Sequence, residues 1–111
     1  MKRHFTKMQA QGNDFVIIDG VRQRISLTTK LIQQWGNRHT GIGFDQLILV
    51  EPSSNNQADF NIRFYNSDGS ESGQCGNGAR CLAKFLHDQK LSRKKIIRVA
   101  TQNRILELHL I

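Results

Sequence analysis

Short runs of apolar and β-branched residues, one of them with a clean period of two, predict a mostly β structure. The run Asp59–Asn66 alternates, with Phe60, Ile62 and Phe64 on one side, as expected for a strand buried on one face. Glycine-containing Gln9–Asn13 is predicted to separate the first two strands. The other predicted strands are His4–Met8, Asp14–Val21, Gln46–Glu51, a short strand ending at Gln74, Lys95–Thr101 and Ile105–Ile111.

Two segments instead show the helical period. Ser26 opens a pattern that ends at Gly36 and places Leu31, Ile32 and Trp35 on one face. The second helix is predicted over Asn77–Gln89. Its predicted buried stripe is Ala79, Leu82, Ala83 and Leu86. Because strands and helices do not alternate strictly, the order favours an α+β or barrel-like fold over a doubly wound sheet.

Composition is compatible with one compact domain over residues 1–111, with 38% apolar residues. The net charge of +7 is uneven, because residues 80–111 carry eight basic and two acidic side chains. Segment Lys90–Arg98 holds most of this excess, and a basic module that binds nucleic acid is the alternative function. No aromatic residue interrupts the segment, so we prefer a solvated surface.

No apolar run is long enough to span a bilayer, and the N-terminus has no apolar signal region, which predicts a cytoplasmic protein. Reduced cysteines are expected there. Cys75 and Cys81 would diverge on one helix, so no disulfide is predicted. The four histidines show no metal-ligand spacing.

Residues 73–81, GQCGNGARC, contain the strongest chemical signal. Cys75 precedes the predicted helix, where unpaired N–H groups and the helix dipole favour a thiolate. Gly76 and Gly78 leave room for a ligand against the backbone. A cysteine can also be a small buried residue, and this is how we interpret Cys81 inside the helix.

Four motifs in order resemble the N-terminal half of the diaminopimelate epimerase family. They are Gly12-Asn-Asp-Phe15, Arg38-His39 with Gly41-Ile-Gly-Phe-Asp-Gln46, Phe64-Tyr-Asn-Ser-Asp-Gly-Ser-Glu71 and Gln74-Cys-Gly-Asn-Gly-Ala-Arg-Cys81. The resemblance implies a mostly antiparallel, barrel-like sheet wrapped around a central helix. It also implies interconversion of LL- and meso-diaminopimelate, in lysine and peptidoglycan precursor synthesis, without pyridoxal phosphate or any other cofactor.

The resemblance further implies site residues. Cys75 matches one of two catalytic thiols, Gly76 and Asn77 match the groups that hold the α-carboxylate and amine, and Asn13, Gln46 and Asn66 match substrate-binding side chains. Inversion at Cα needs a base on one face and an acid on the other.

The second thiol belongs to a second domain that we expect to be absent here. Three arrangements stay open: an inactive fragment, a homodimer in which each copy lends its Cys75, and a separate chain that supplies the other half. Proline racemase-like and phenazine-pathway isomerases share the architecture, but their motifs around the cysteine match less well.

Overall fold

The computed structural model describes residues 5–10, 12–54, 56–72, 78–102 and 104–109, which form seven strands in one sheet and two helices. The strands are β1 (Phe5–Ala10), β2 (Asn13–Asp19), β3 (Gln46–Pro52), β4 (Phe60–Asn66), β5 (Glu71–Ser72), β6 (Ile96–Ala100) and β7 (Ile105–His109). The helices are α1 (Thr29–Gly36) and α2 (Gly78–Asp88). Neither of these helices is long and apolar enough to cross a membrane.

The sheet is mixed, with the strand order β1-β2-β3-β4-β6-β7 and β5 beside β4. Strands β2 and β3 are parallel, as are β4 and β6, whereas the remaining neighbours are antiparallel. Each parallel pair follows from a helix in the connection, since a strand needs a crossover to return in the same direction. The predicted α+β class with mostly antiparallel pairing is confirmed.

The sheet curls around α2. Strands β1 and β7 stand at opposite ends of the strand order, yet both contact α2, as does β2. A helix enclosed in this way buries more than a narrow stripe. Phe85 and Cys81 are therefore buried beside Leu82 and Leu86. The predicted stripe was wrong in part, because it omitted Phe85 and included Ala79 and Ala83, which are only partly buried.

The two central strands are buried on both faces. On one face, Phe15, Ile17, Ile48 and Val50 join the core that contains α2. On the other, a second cluster packs under α1; its buried members are Val16, Ile18, Ile32, Phe44, Leu47 and Leu49. Continuous apolar sequence in β2 and β3 is typical of strands covered on both sides.

The predicted connection over Gln9–Asn13 was wrong at both ends. Gln9 pairs with Asp14 and Ala10 pairs with Asn13, so the two strands run almost to the turn. Gly12 has a φ of +83°, a conformation that glycine adopts without steric cost. This tight reversal is why the strands extend into a stretch whose glycine suggested a longer loop.

Asp19 anchors the chain where β2 ends. Its side chain is buried and accepts hydrogen bonds from the backbone N–H groups of Val21 and Arg22 and from Arg22 Nε. Arg22 Nη2 also donates to Gln89 Oε1 across 3.2 Å, which ties this turn to the segment after α2. Burial raises the pKa of Asp19, but the donors outweigh burial and leave the pKa below its ordinary value of 3.8.

The lowered pKa of Asp19 predicts a pH-dependent contribution to stability. A carboxylate with a depressed folded-state pKa stabilises fully above the unfolded-state pKa, and this contribution is lost as pH falls through the folded-state value. We expect Asp19→Asn to lower the free energy of unfolding by about 1–2 kcal/mol near neutral pH. The difference from wild type should shrink as pH drops below 3.8.

Urea denaturation at a series of pH values measures this difference. The control is Asp88→Asn, which alters an exposed carboxylate on α2. We expect a change of under about 0.5 kcal/mol for this control. A deficit of Asp19→Asn that stays constant down to the acid transition would contradict the assigned role.

Candidate active site

Three of the predicted site residues meet at one edge of the sheet. Asn13 and Gln46 begin β2 and β3, and Asn66 ends β4. Because β2 and β3 are parallel while β4 is antiparallel to β3, these positions share the same edge. Gln46 is the register partner of Phe15 on one side and of Asn66 on the other.

The three side chains also share one face. Side chains two residues apart lie on the same side of a strand. Asn13 continues the row of Phe15, Gln46 continues the row of Ile48, and Asn66 continues the row of Phe64. These apolar neighbours belong to the core that contains α2. The amides therefore extend that core to the edge of the sheet, on the side where α2 lies.

Helix α2 begins beside the same residues. A Cβ atom on Gly78 would lie 3.2 Å from Ile48 Cδ1 and 3.3 Å from Phe15 Cε1, so the first turn of the helix packs closely on β2 and β3. The N–H groups of a first turn have no partners within the helix and favour negative charge. An anionic group could thus be held between this helix start and the amide side chains.

The remaining predicted residues, Cys75, Gly76 and Asn77, lie outside the described residues. Their roles stay predictions. The described residues on either side are Ser72, which pairs with Phe64 on β4, and Gly78, which packs on β2 and β3.

Hydrogen bonds fix Asn66 and Gln46 relative to each other. Gln46 Nε2 donates to Asn66 Oδ1 across 3.4 Å, and Asn66 Nδ2 donates to Ser70 Oγ at 3.0 Å. The backbone N–H of Asn66 donates to the Ser70 carbonyl at 2.8 Å and closes the predicted turn. Gly69 supplies the φ of +91° that the Asp-Gly pair predicted.

An ionic cluster at the same edge has no counterpart among the predicted site residues. Arg38 Nη1 lies 2.8 Å from Asp14 Oδ2, and Arg38 Nη2 lies 3.1 Å from Asp45 Oδ1. The hydrogen bond from Arg38, aided by one from Gln9, holds the pKa of Asp14 below its usual value. Asp14 directly follows Asn13, and Asp45 directly precedes Gln46, so both are next to predicted substrate-binding residues. Their presence inside the quoted motifs was the signal that could have identified them.

Cys81 is buried in the core and free of any disulfide. Burial raises the pKa of its thiol, so it stays protonated at neutral pH. The prediction that Cys81 is a core residue is confirmed. Across the ranges that the structure describes, no three His, Cys, Asp or Glu side chains are grouped in a way that could hold a metal ion.

The basic segment Lys90–Arg98 is partly neutralised by acidic neighbours. Lys94 Nζ lies 2.7 Å from Asp59 Oδ1, and Arg98 Nε lies 3.3 Å from Glu107 Oε2. The basic partners in these pairs are exposed, as on an ordinary solvated surface. Each pair offsets a positive charge that contact with a phosphate backbone would require.

Comparison of the sequence with a family model and with known proteins gives the same result. A family model described as diaminopimelate epimerase matches residues 5–110. A diaminopimelate epimerase of Coxiella burnetii is 55% identical over 108 residues, which are 97% of this chain and 39% of the relative. One from Pseudomonas savastanoi pv. phaseolicola is 56% identical over the same shares. The chain thus spans well under half the length of these curated relatives and matches their N-terminal part.

Solved structures resemble the chain in fold. A methylitaconate-delta-isomerase matches with a TM-score of 0.73 and 18% identity, over 96% of this chain and 58% of that protein. A PhzF-family phenazine biosynthesis protein of Bacillus anthracis matches with a TM-score of 0.65 and 23% identity, over 96% of this chain and 34% of that protein. At these identities the comparison concerns the fold alone.

Proposed function

This chain belongs to the diaminopimelate epimerase family, and we propose that it carries one half of a cofactor-independent epimerase site for diaminopimelate. In this proposal the chain acts in the cytoplasm on a small amino acid and contributes a single catalytic thiol, Cys75. A thiol on the opposite face of the substrate completes inversion and comes from outside this half-site.

One observation carries the proposal. Asn13, Gln46 and Asn66 come from three different strands and lie on one face and one edge, beside the start of α2. The segment that contains Cys75 is flanked by Ser72 and Gly78, both of which pack against those same strands. We propose that an amino acid held by the amides is within reach of the Cys75 thiol.

The chemistry follows from the groups that this proposal places together. The α-carboxylate would accept hydrogen bonds from the N–H groups of Gly76 and Asn77, and the amides of Asn13, Gln46 and Asn66 would orient the rest of the substrate. The Cys75 thiolate takes the Cα proton as an S–H group, and the electron pair of the broken C–H bond stays on the substrate as carbanion-like charge. Donors at the carboxylate stabilise this charge, and each typically contributes about 3–4 kcal/mol.

A half-site with one base makes a stereochemical prediction. A single thiol reaches Cα from one face, so it exchanges the proton of one configuration only and returns a deuteron to the same face. We expect the 111-residue chain in D2O to introduce deuterium only at the L-configured or only at the D-configured Cα centres of LL- and meso-diaminopimelate, with retention of configuration. Mass spectrometry with chiral chromatography measures both properties.

Other outcomes of the exchange experiment are equally informative. Exchange accompanied by inversion would indicate that a second copy supplies the opposite acid, which a concentration dependence of the rate would reveal. Absence of exchange in both isomers, together with no binding of either isomer by calorimetry, would contradict the proposed function.

A further inference from the structure

We propose that Arg38 is a positioning residue that holds the strand ends carrying Asn13 and Gln46 at a fixed separation. This inference rests on the proposed function, because it assigns Arg38 a part in shaping that site. Arg38 acts through Asp14 and Asp45 and does not itself touch the substrate.

The Arg38 guanidinium bridges two carboxylates from different segments. Nη1 donates to Asp14 Oδ2 at 2.8 Å and Nη2 donates to Asp45 Oδ1 at 3.1 Å. The fork of a guanidinium has two parallel sets of donors, so it can fix two acceptors at once, which an ammonium group does less well. We call Arg38, Asp14 and Asp45 the rear clamp.

The rear clamp also includes two reciprocal hydrogen bonds donated by backbone N–H groups. The Asp14 N–H donates to Asp45 Oδ2 at 2.7 Å, and the Asp45 N–H donates to the Asp14 carbonyl at 2.9 Å. The start of β2 is thus joined to the residue before β3 by both main chain and side chains. Gln9 Nε2 adds a donor to Asp14 Oδ1 at 2.7 Å, which links β1 to the same point.

The rear clamp lies behind the candidate site. Asp14 follows Asn13 in β2, so its side chain projects from the opposite face, the one covered by α1. Arg38 comes just after α1 and reaches the strands from that side. A substrate bound among the amides would therefore not meet Arg38, although the spacing of Asn13 and Gln46 would depend on it.

Gly43 makes room for Arg38. Its φ is +77°, and a Cβ there would lie 3.0 Å from Arg38 Cγ and 3.2 Å from Arg38 Cα. Its N–H donates to the Trp35 carbonyl at 2.8 Å, which attaches the loop to α1. This attachment holds the backbone of the loop that carries Arg38 in place, as a positioning role requires.

The test compares Arg38→Gln with wild type in the absence of ligand. Hydrogen exchange of the Asp14 and Asp45 amides, followed by NMR, reports directly on the rear clamp. We expect both amides to exchange about fivefold faster or more in Arg38→Gln, because local opening no longer breaks an ionic bridge. The calorimetric affinity for LL- or meso-diaminopimelate, whichever wild type binds, should fall about tenfold.

Two further variants separate positioning from general stability. Arg63→Gln removes an arginine of similar exposure, 54% against 50%, whose ion-pair partner is Glu51 away from this edge. It should leave both amides and the affinity unchanged within about twofold. Arg38→Lys keeps the charge without the fork and should recover the affinity only in part.

Each outcome decides the matter. Faster exchange with weaker binding in Arg38→Gln, and neither in Arg63→Gln, supports the proposal. Unchanged amide exchange overturns it, as does faster exchange with undiminished affinity. Failure of wild type to bind either isomer would count against the proposed function, and the rear clamp would then be decided by the amide exchange alone.

Discussion

Replacing Cys75 with alanine should abolish deuterium exchange at Cα of diaminopimelate. In the proposed site this sulfur is the base that removes the proton, and a positioned base typically contributes about 10²–10⁴-fold to the rate. Alanine is also a small residue, but it has no titratable group. We therefore expect the exchange rate to fall by about a hundredfold or more, while the affinity for the substrate changes little.

Cys81→Ala is the matched control for this experiment. It removes the other cysteine of the chain, which is buried in the core and has a raised pKa. The loss of a small buried group should lower stability modestly but leave exchange near the wild-type rate. If Cys75→Ala kept the exchange activity, or if Cys81→Ala lost it while still folded, Cys75 would not be the base.

Replacing Phe15 with alanine should cause the largest loss of stability. Phe15 is 2% exposed and supports the first turn of α2 through its contact with Gly78. Removing a buried phenylalanine leaves a cavity and typically costs about 3–5 kcal/mol. Marginal stability makes this a large share of the total, so partial unfolding near room temperature is expected. Urea denaturation followed by circular dichroism measures the loss.

Phe5→Ala provides the corresponding control on the neighbouring strand. Phe5 pairs with Ile18 across β1 and β2, yet it is 48% exposed. We expect its replacement to cost under about 1 kcal/mol. Similar losses in the two variants would show that the packing of Phe15 between β2 and α2 does not support the site as described.

The strands and helices were predictable from local signals, which are a periodicity in some elements and a continuous apolar run in β2 and β3. Phe60, Ile62 and Phe64 alternate in sequence and are all buried. The pairing was not predictable in this way, because parallel neighbours such as β2 and β3 are joined only through α1 and depend on long-range contacts. The burial of Phe85 was not predictable either, because the pattern within a helix does not reveal how far a sheet will wrap around it.

The family motifs predicted more residues of the candidate site than physical reasoning about single residues did. Asn13, Gln46 and Asn66 look like ordinary turn or strand-end residues taken singly, and only the family resemblance grouped them. The structure brings these three together. Arg38 also lies in one of the motifs, but its contacts with two carboxylates 24 and 7 residues away could not be predicted from a local pattern.

Burial of β2 and β3 on both faces has a consequence for how the two strands align. A slip of one residue normally moves apolar side chains into water, but residues 15–18 and 47–50 are buried throughout, so a slip here would exchange one apolar row for another. The correct register must instead be set by contacts at the two ends of these strands. At one end Asp14 and Asp45 bond reciprocally, and at the other the Gly20 N–H donates to the Val50 carbonyl at 2.7 Å. Substitutions at the polar edge would therefore weaken the register between β2 and β3 and would also impair any chemistry performed there.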